Sequence, residues 1–291
     1  MNRFAPQKPQ VAEEPWPSAD PAAADAEAGE GLNTDDYGET LGFLRCFDTM
    51  FLVDDSAAMA PYWGDVRALL ERITPIAAKY DPNGIDVFFL NHRPKGLLSG
   101  IGNVRKSGYR NIGGFGDQEA VGSEHRDKNT VQGVFNRVKP SGKCNLGARV
   151  SKILSWYCGK LKADQEDAAL NLIIITAGHF DDDIRAPLAH VAKLLDTMDV
   201  PEHQVGVQLF QIGTPTPEIQ RMFEYLDDEL HKEAGTRDIV DTTTWTGQPG
   251  SLSSDDLLKV VLGAVVKKLD QRGTALHYSG HAPPPRRFDR D

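Results

Sequence analysis

The chain has 291 residues, 40% of them hydrophobic, and its 42 acidic against 32 basic side chains leave a formal charge of −10. That length holds one α/β domain of ordinary size plus tails. The acidic balance argues against nucleic acid as a partner, because phosphate contacts need clustered Lys and Arg. No apolar run reaches the roughly 18 residues that would span a bilayer.

Three widely spaced cysteines, Cys46, Cys144 and Cys158, form no CxxC pair. They read as free thiols of a reducing compartment rather than a disulfide frame or zinc site. The start Met1-Asn2-Arg3-Phe4-Ala5-Pro6 lacks the apolar core of a signal peptide. An intracellular, cytoplasmic protein with no membrane partner is expected.

In chain order, residues 1–40 are rich in Pro, Ala, Glu and Asp, with Trp16 almost the only large apolar side chain. Such a segment buries too little surface to offset its ordering entropy, so disorder is expected. The domain is expected over residues 41–272, and a second disordered tail over 273–291, with Pro283-Pro284-Pro285 and Arg286-Arg287.

Phe47 to Val53 predicts a strand followed at once by a helix, in which Val66, Leu69, Leu70, Ile73 and Ile76 recur, with Pro75 kinking or shortening its last turn. Asp81-Pro82-Asn83-Gly84 marks a turn before a strand over Ile85 to Leu90. From His92 to about Asp127 the chain is glycine-rich, including Gly113-Gly114-Phe115-Gly116, and aperiodic. A loop that long is uncommon in a compact domain, so an edge hairpin or a functional loop is expected within it.

Val131, Val134, Phe135 and Val138 predict a short helix ended by Pro140, and Leu146, Val150, Ile153, Leu154 and Tyr157 a longer one. Leu170 to Thr176 carries the continuous apolar run of a strand covered on both faces. Helices around Leu188 to Met198 and Ile219 to Leu230 flank a strand over Val205 to Ile212. A short strand is expected over Arg237 to Val240. A last helix is expected over about 254–270, capped by Ser253 or Ser254 and ending at Lys267 and Lys268. Strands alternating with helices imply an α/β fold of the Rossmann-like, doubly wound kind, its sheet mostly parallel with helices on both faces.

The chemistry is concentrated where strands end. Phe51-Leu52-Val53-Asp54-Asp55-Ser56 is an apolar strand closing on a carboxylate and a hydroxyl, the position where open α/β sheets bind ligands. Later come Gly142-Lys143-Cys144-Asn145-Leu146-Gly147 and Ile175-Thr176-Ala177-Gly178. In order and spacing these three loops resemble the cation-binding loops of the von Willebrand factor A (vWA) domain. There the loops read Asp-x-Ser-x-Ser, Gly-x-Thr-x-x-Gly and Thr-Asp-Gly. The resemblance covers roughly residues 45–270. It looks closest to fungal vWA-like proteins, through Leu146-Gly147-Ala148-Arg149 and Val260-Val261-Leu262-Gly263-Ala264-Val265.

The resemblance implies a vWA fold and a metal-ion-dependent adhesion site on its top face. The ligands that this site needs are mostly replaced. Asp54 and Ser56 still offer oxygen, Ala58 and Ala177 offer none, and Cys144 offers soft sulfur to a hard cation. No bound metal or other cofactor is expected, with Asp54 and Ser56 the residual candidates for magnesium. Asp55 and Asp181-Asp182-Asp183 are possible compensating carboxylates, though the triplet reads first as a helix start.

Other chemistries fit less well. A receiver domain lacks its phosphoacceptor at Asn91-His92 or Ala177, a dehalogenase-type phosphatase would need Asp at Ser56, and no dinucleotide, P-loop, HExxH or GxSxG motif is present. The expectation is a non-enzymatic protein-protein interaction module whose top-face site comprises Asp54, Asp55, Ser56, Ala58, Cys144 and Ala177. One alternative is a cation-dependent adhesion or assembly module with a rearranged magnesium shell. The other is an enzyme using Cys144 as nucleophile and His179 as base.

Overall fold

A computed structural model describes residues 42–80, 84–94, 104–113, 130–163, 168–246 and 260–263. The two terminal arms, most of the last helix with its caps, Asp81 to Asn83, and parts of the segment from 92 to 127 lie outside the described residues.

Among the described residues six strands form one sheet: β1 (Phe47–Val53), β2 (Ile85–Phe89), β3 (Tyr109–Ile112), β4 (Ala169–Thr176), β5 (Val205–Ile212) and β6 (Val240–Trp245). Their spatial order is β3-β2-β1-β4-β5-β6. Every pairing is parallel except β2 with β3, an antiparallel edge. The helices are α1 (Trp63–Tyr80), α2 (Val131–Phe135), α3 (Leu146–Lys162), α4 (Arg185–Thr197), α5 (Pro217–Glu224) and α6 (Leu230–Ala234). This is the α/β class expected, with the strand order changing direction at β1 and β4.

Both faces of the sheet are covered, which explains the unbroken apolar runs of its strands. On one face Leu52, Leu172, Ile174, Val207 and Leu209 pack with Val150, Ile153 and Leu154 of α3 and Leu188 and Leu195 of α4. On the other, α1 brings Trp63 to within 6.0 Å of Phe89, and the Val261 carbonyl accepts from Asn171 Nδ2 at 2.9 Å. Every residue of β4 and of β5 is buried.

Three expectations need correction. Pro75 does not shorten α1, since the helix continues to Tyr80. Pro75 and Glu71 are both exposed, so the carbonyl four residues back that loses its donor faces water. The strand placed at Arg237 to Val240 instead begins at Val240 and runs to Trp245. Its Thr242-Thr243-Thr244 stretch is β-branched and half-solvated, as suits an edge strand, but lacks the apolar alternation that marks a core strand. Arg237 lies before it, with Nε 2.6 Å from Asp196 Oδ1.

The third correction concerns the helix after β1. It does not start at once, because Ala57–Tyr62 first form a 3-10 turn that crosses the sheet edge. Tyr62 in that turn lies so close to Gly213, after β5, that a Cβ there would meet its hydroxyl at 2.3 Å. The expected edge hairpin within 92–127 has its counterpart in β3, which pairs with β2.

Candidate functional site at the carboxyl edge of the sheet

Asp54 continues β1 by one residue, its N–H donating to the Ile175 carbonyl at 2.9 Å. That extra rung holds its carboxylate between the ends of β1 and β4, fully buried at 0% exposure. One oxygen, Oδ1, accepts from the Ser56 N–H at 2.8 Å. The other, Oδ2, accepts from the Thr176 hydroxyl at 2.8 Å and from the Cys144 thiol at 3.3 Å. Three loops far apart in sequence therefore meet on a single carboxylate. Both of its oxygens are engaged by donors of this chain.

Asp55 turns the other way. Its carboxylate accepts from the backbone N–H groups of Asn91 at 2.6 Å and His92 at 2.8 Å, just past β2. Its carbonyl accepts from Ser141 N–H at 2.7 Å. Burial raises its pKa above the ordinary carboxylate value, with the Asp54 charge adding to the shift and the backbone donors opposing it. Asn91, which sequence reading passed over as merely not an acceptor aspartate, binds the same loop through Nδ2 to the carbonyls of Ser141 and Lys143.

The acidic triplet divides its labour. Asp181 and Cys144 exchange bonds, Cys144 N–H to Asp181 Oδ2 at 2.7 Å and Asp181 N–H to the Cys144 carbonyl at 2.8 Å. Asp182 accepts from Gly147 N–H at 2.9 Å and Ala148 N–H at 2.7 Å, so it caps α3 from a distant loop. Only Asp183 serves the helix that follows it, accepting from Arg185 N–H at 3.0 Å. The helix-start reading holds for one residue of the three. Asp182 satisfies two N-terminal amides of α3, whose own cap residue Asn145 makes no side-chain cap bond, and Asp181 holds the Cys144 loop that leads into it.

The Leu146-Gly147-Ala148-Arg149 stretch now has physical reasons. A Cβ on Gly147 would lie 2.1 Å from the Asp183 carbonyl oxygen, so only glycine lets α3 approach this loop. Arg149 is 5% exposed, its guanidinium 5.6 Å from the Phe88 ring centre and its Nη2 donating to Ser107 Oγ at 2.9 Å. Burial, with the neighbouring Arg93 charge, pushes its pKa down to about 10, against the pull of Asp55.

Of the remaining site residues, Ala177 is buried and Ala58 partly exposed, and neither supplies an oxygen from its side chain. Ser56 is buried and its hydroxyl has no hydrogen-bond partner among the described residues. The donor set does not fit a magnesium shell: both Asp54 oxygens already accept from internal donors, Cys144 presents a thiol, and two positions carry methyl groups. Among the described residues no group of three or more His, Cys, Asp or Glu is gathered as a metal site.

The pairing of Cys144 with His179 meets two obstacles. The thiol is 2% exposed and donates to Asp54, whereas His179 is exposed. Burial first, then the Asp54 charge and hydrogen bond, push the Cys144 pKa far up, the opposite of an activated thiolate. The loops do neighbour each other, but through Asp181 rather than His179. No helix among the described residues is long and apolar enough to cross a membrane. No protein-family model and no curated protein matches the chain.

Proposed function

We propose that this chain is a non-enzymatic protein-protein interaction module on a vWA-type scaffold, in which internal hydrogen bonds replace the metal-ion-dependent adhesion site. The observation that carries this reading is the convergence on Asp54. The three loops singled out by the resemblance meet there, and Ser56 N–H, Thr176 Oγ1 and Cys144 Sγ donate to the two oxygens a cation would need. Their donors neutralise part of a buried carboxylate's desolvation cost. A partner that completes a metal shell with its own carboxylate would meet Asp54 and Asp55 uncompensated, and like charges at an interface are costly. The partner surface is therefore made of side chains. Three free cysteines, with Cys46 exposed, support an intracellular, cytoplasmic setting.

Calorimetric titration with magnesium or manganese tests the reading. The expected result is no saturable heat. Micromolar binding that disappears in Asp54→Ala would sink it. The unpartnered Ser56 hydroxyl favours a second reading, a rearranged cation shell. That reading requires chelator-sensitive partner capture that is lost in Ser56→Ala.

A further inference from the structure

Beside the Asp54 knot the loop after β4 and the start of α5 enclose an open cleft of about 780 Å³. Its floor is apolar, with Ile219 buried and Phe180 and Met222 partly exposed; Phe180 stacks on the buried Phe223 at 6.0 Å between ring centres. Gly178 makes the floor possible. With φ +87°, it approaches Ile219 so closely that a Cβ would lie 2.6 Å from Cγ2. The rim is acidic: Asp181, Asp182, Asp183 and Glu218 line the cleft against the single cation Arg185.

We infer that this cleft is the docking surface of the module and takes a basic-apolar peptide of a partner protein, an arginine pair beside an aromatic or aliphatic residue. The inference rests on the interaction-module reading above and assigns it a place and a ligand chemistry. Size, shape and charge each narrow the choice. The volume falls in the range of ligand clefts, about 300–1,000 Å³, while the opening suits extended chain rather than an enclosed metabolite. Asp182 is held by α3 amides, but Asp183 and Glu218 are exposed, with solvated partners at 2.8 Å and 3.2 Å that an incoming guanidinium can displace at little cost. Arginine matches carboxylates with a two-pronged donor fork. Met222 and Phe180 provide an adaptable thioether and a flat ring for the flanking apolar group. An anionic partner is repelled both by this rim and by the chain's overall charge of −10.

The test uses the full-length chain and a fluorescent synthetic peptide, Gly-Ser-Arg-Arg-Phe-Ser-Gly, with a Glu-Glu-Phe counterpart as control. Anisotropy should show saturable, salt-sensitive binding of the arginine peptide alone. Glu218→Lys should weaken it at least about tenfold, equivalent to about 1.4 kcal/mol. Glu71→Lys, the same charge change on the exposed side of α1, should alter it less than about twofold, since screening confines charge effects to about 8–10 Å. Met222→Ala should also weaken it. Equal losses in Glu218→Lys and Glu71→Lys overturn the inference, as does absence of binding. The chain's own Arg286-Arg287-Phe288 carries the same chemistry. Tighter peptide binding in Arg286→Glu/Arg287→Glu would make that tail the occupant and overturn the assignment to a partner. Repeating the titration with chelator separates the two readings. A magnesium requirement sinks the metal-free module yet leaves a cleft that responds locally to Glu218, whereas chelator-resistant binding indifferent to Glu218 sinks only the cleft.

Discussion

Cys144 illustrates how a single side chain is defined by what lies on the other strand ends. Its thiol is buried against a carboxylate, so the thiolate is opposed by both desolvation and charge, and its folded pKa stands above the ordinary 9.0. A raised folded pKa favours the protonated native state. The associated stability is present below the ordinary thiol value and is lost as pH climbs past it, because the unfolded thiol then ionises while the folded one cannot. Iodoacetamide labelling read by mass spectrometry should therefore modify exposed Cys46 readily and Cys144 very slowly up to pH about 9. Labelling of Cys144 at a rate equal to that of Cys46 would contradict the buried Asp54 contact. The sequence made the Cys144 position legible as a site that had exchanged hydroxyl for sulfur. It did not disclose that Asp54 would be its partner, since that contact joins residues 90 apart.

At the scale of elements, α3 depends on a loop that follows the next strand. Asp182 satisfies two of the four amides that a helix N-terminus leaves without partners. Asp182→Ala should cost about 1–2 kcal/mol, the usual range for a lost cap, read as a shift in urea midpoint. Asp183→Ala, whose partner Arg185 shares its exposure to water, should cost under about 1 kcal/mol. Reversal of that order would remove the assignment of the cap. Apolar period exposed nearly all of β1, β4, β5 and α3 in advance, because those elements are buried on the faces that period reports. It placed β6 too early, because threonines on a half-solvated edge provide strand geometry without hydrophobic contrast. It also misassigned Asp181 and Asp182, because bonds made across loops leave no local spacing to read.

For the molecule as a whole, a sheet with two covered central strands and two edges implies a graded stability. Amides of β4 and β5, all buried and each paired on both sides, should exchange with deuterium only through global unfolding. Those of β3, four residues long and paired on one side among the described residues, should exchange first. Mass-spectrometric exchange showing β4 as labile as β3 would contradict the strand order. The doubly wound class was readable from alternation alone. The identity of the loops that meet at its edge was readable only from motif order, and their internal bonding only from geometry.

The reciprocal bonds between Cys144 and Asp181, together with the grip of Asp182 on Gly147 and Ala148, brace two surface loops into one plate. Such a plate cannot mould itself to a visitor. Whatever it recognises must fit a shape already cast, so selectivity there comes from rejection of misfits, and little ordering entropy is forfeited on contact.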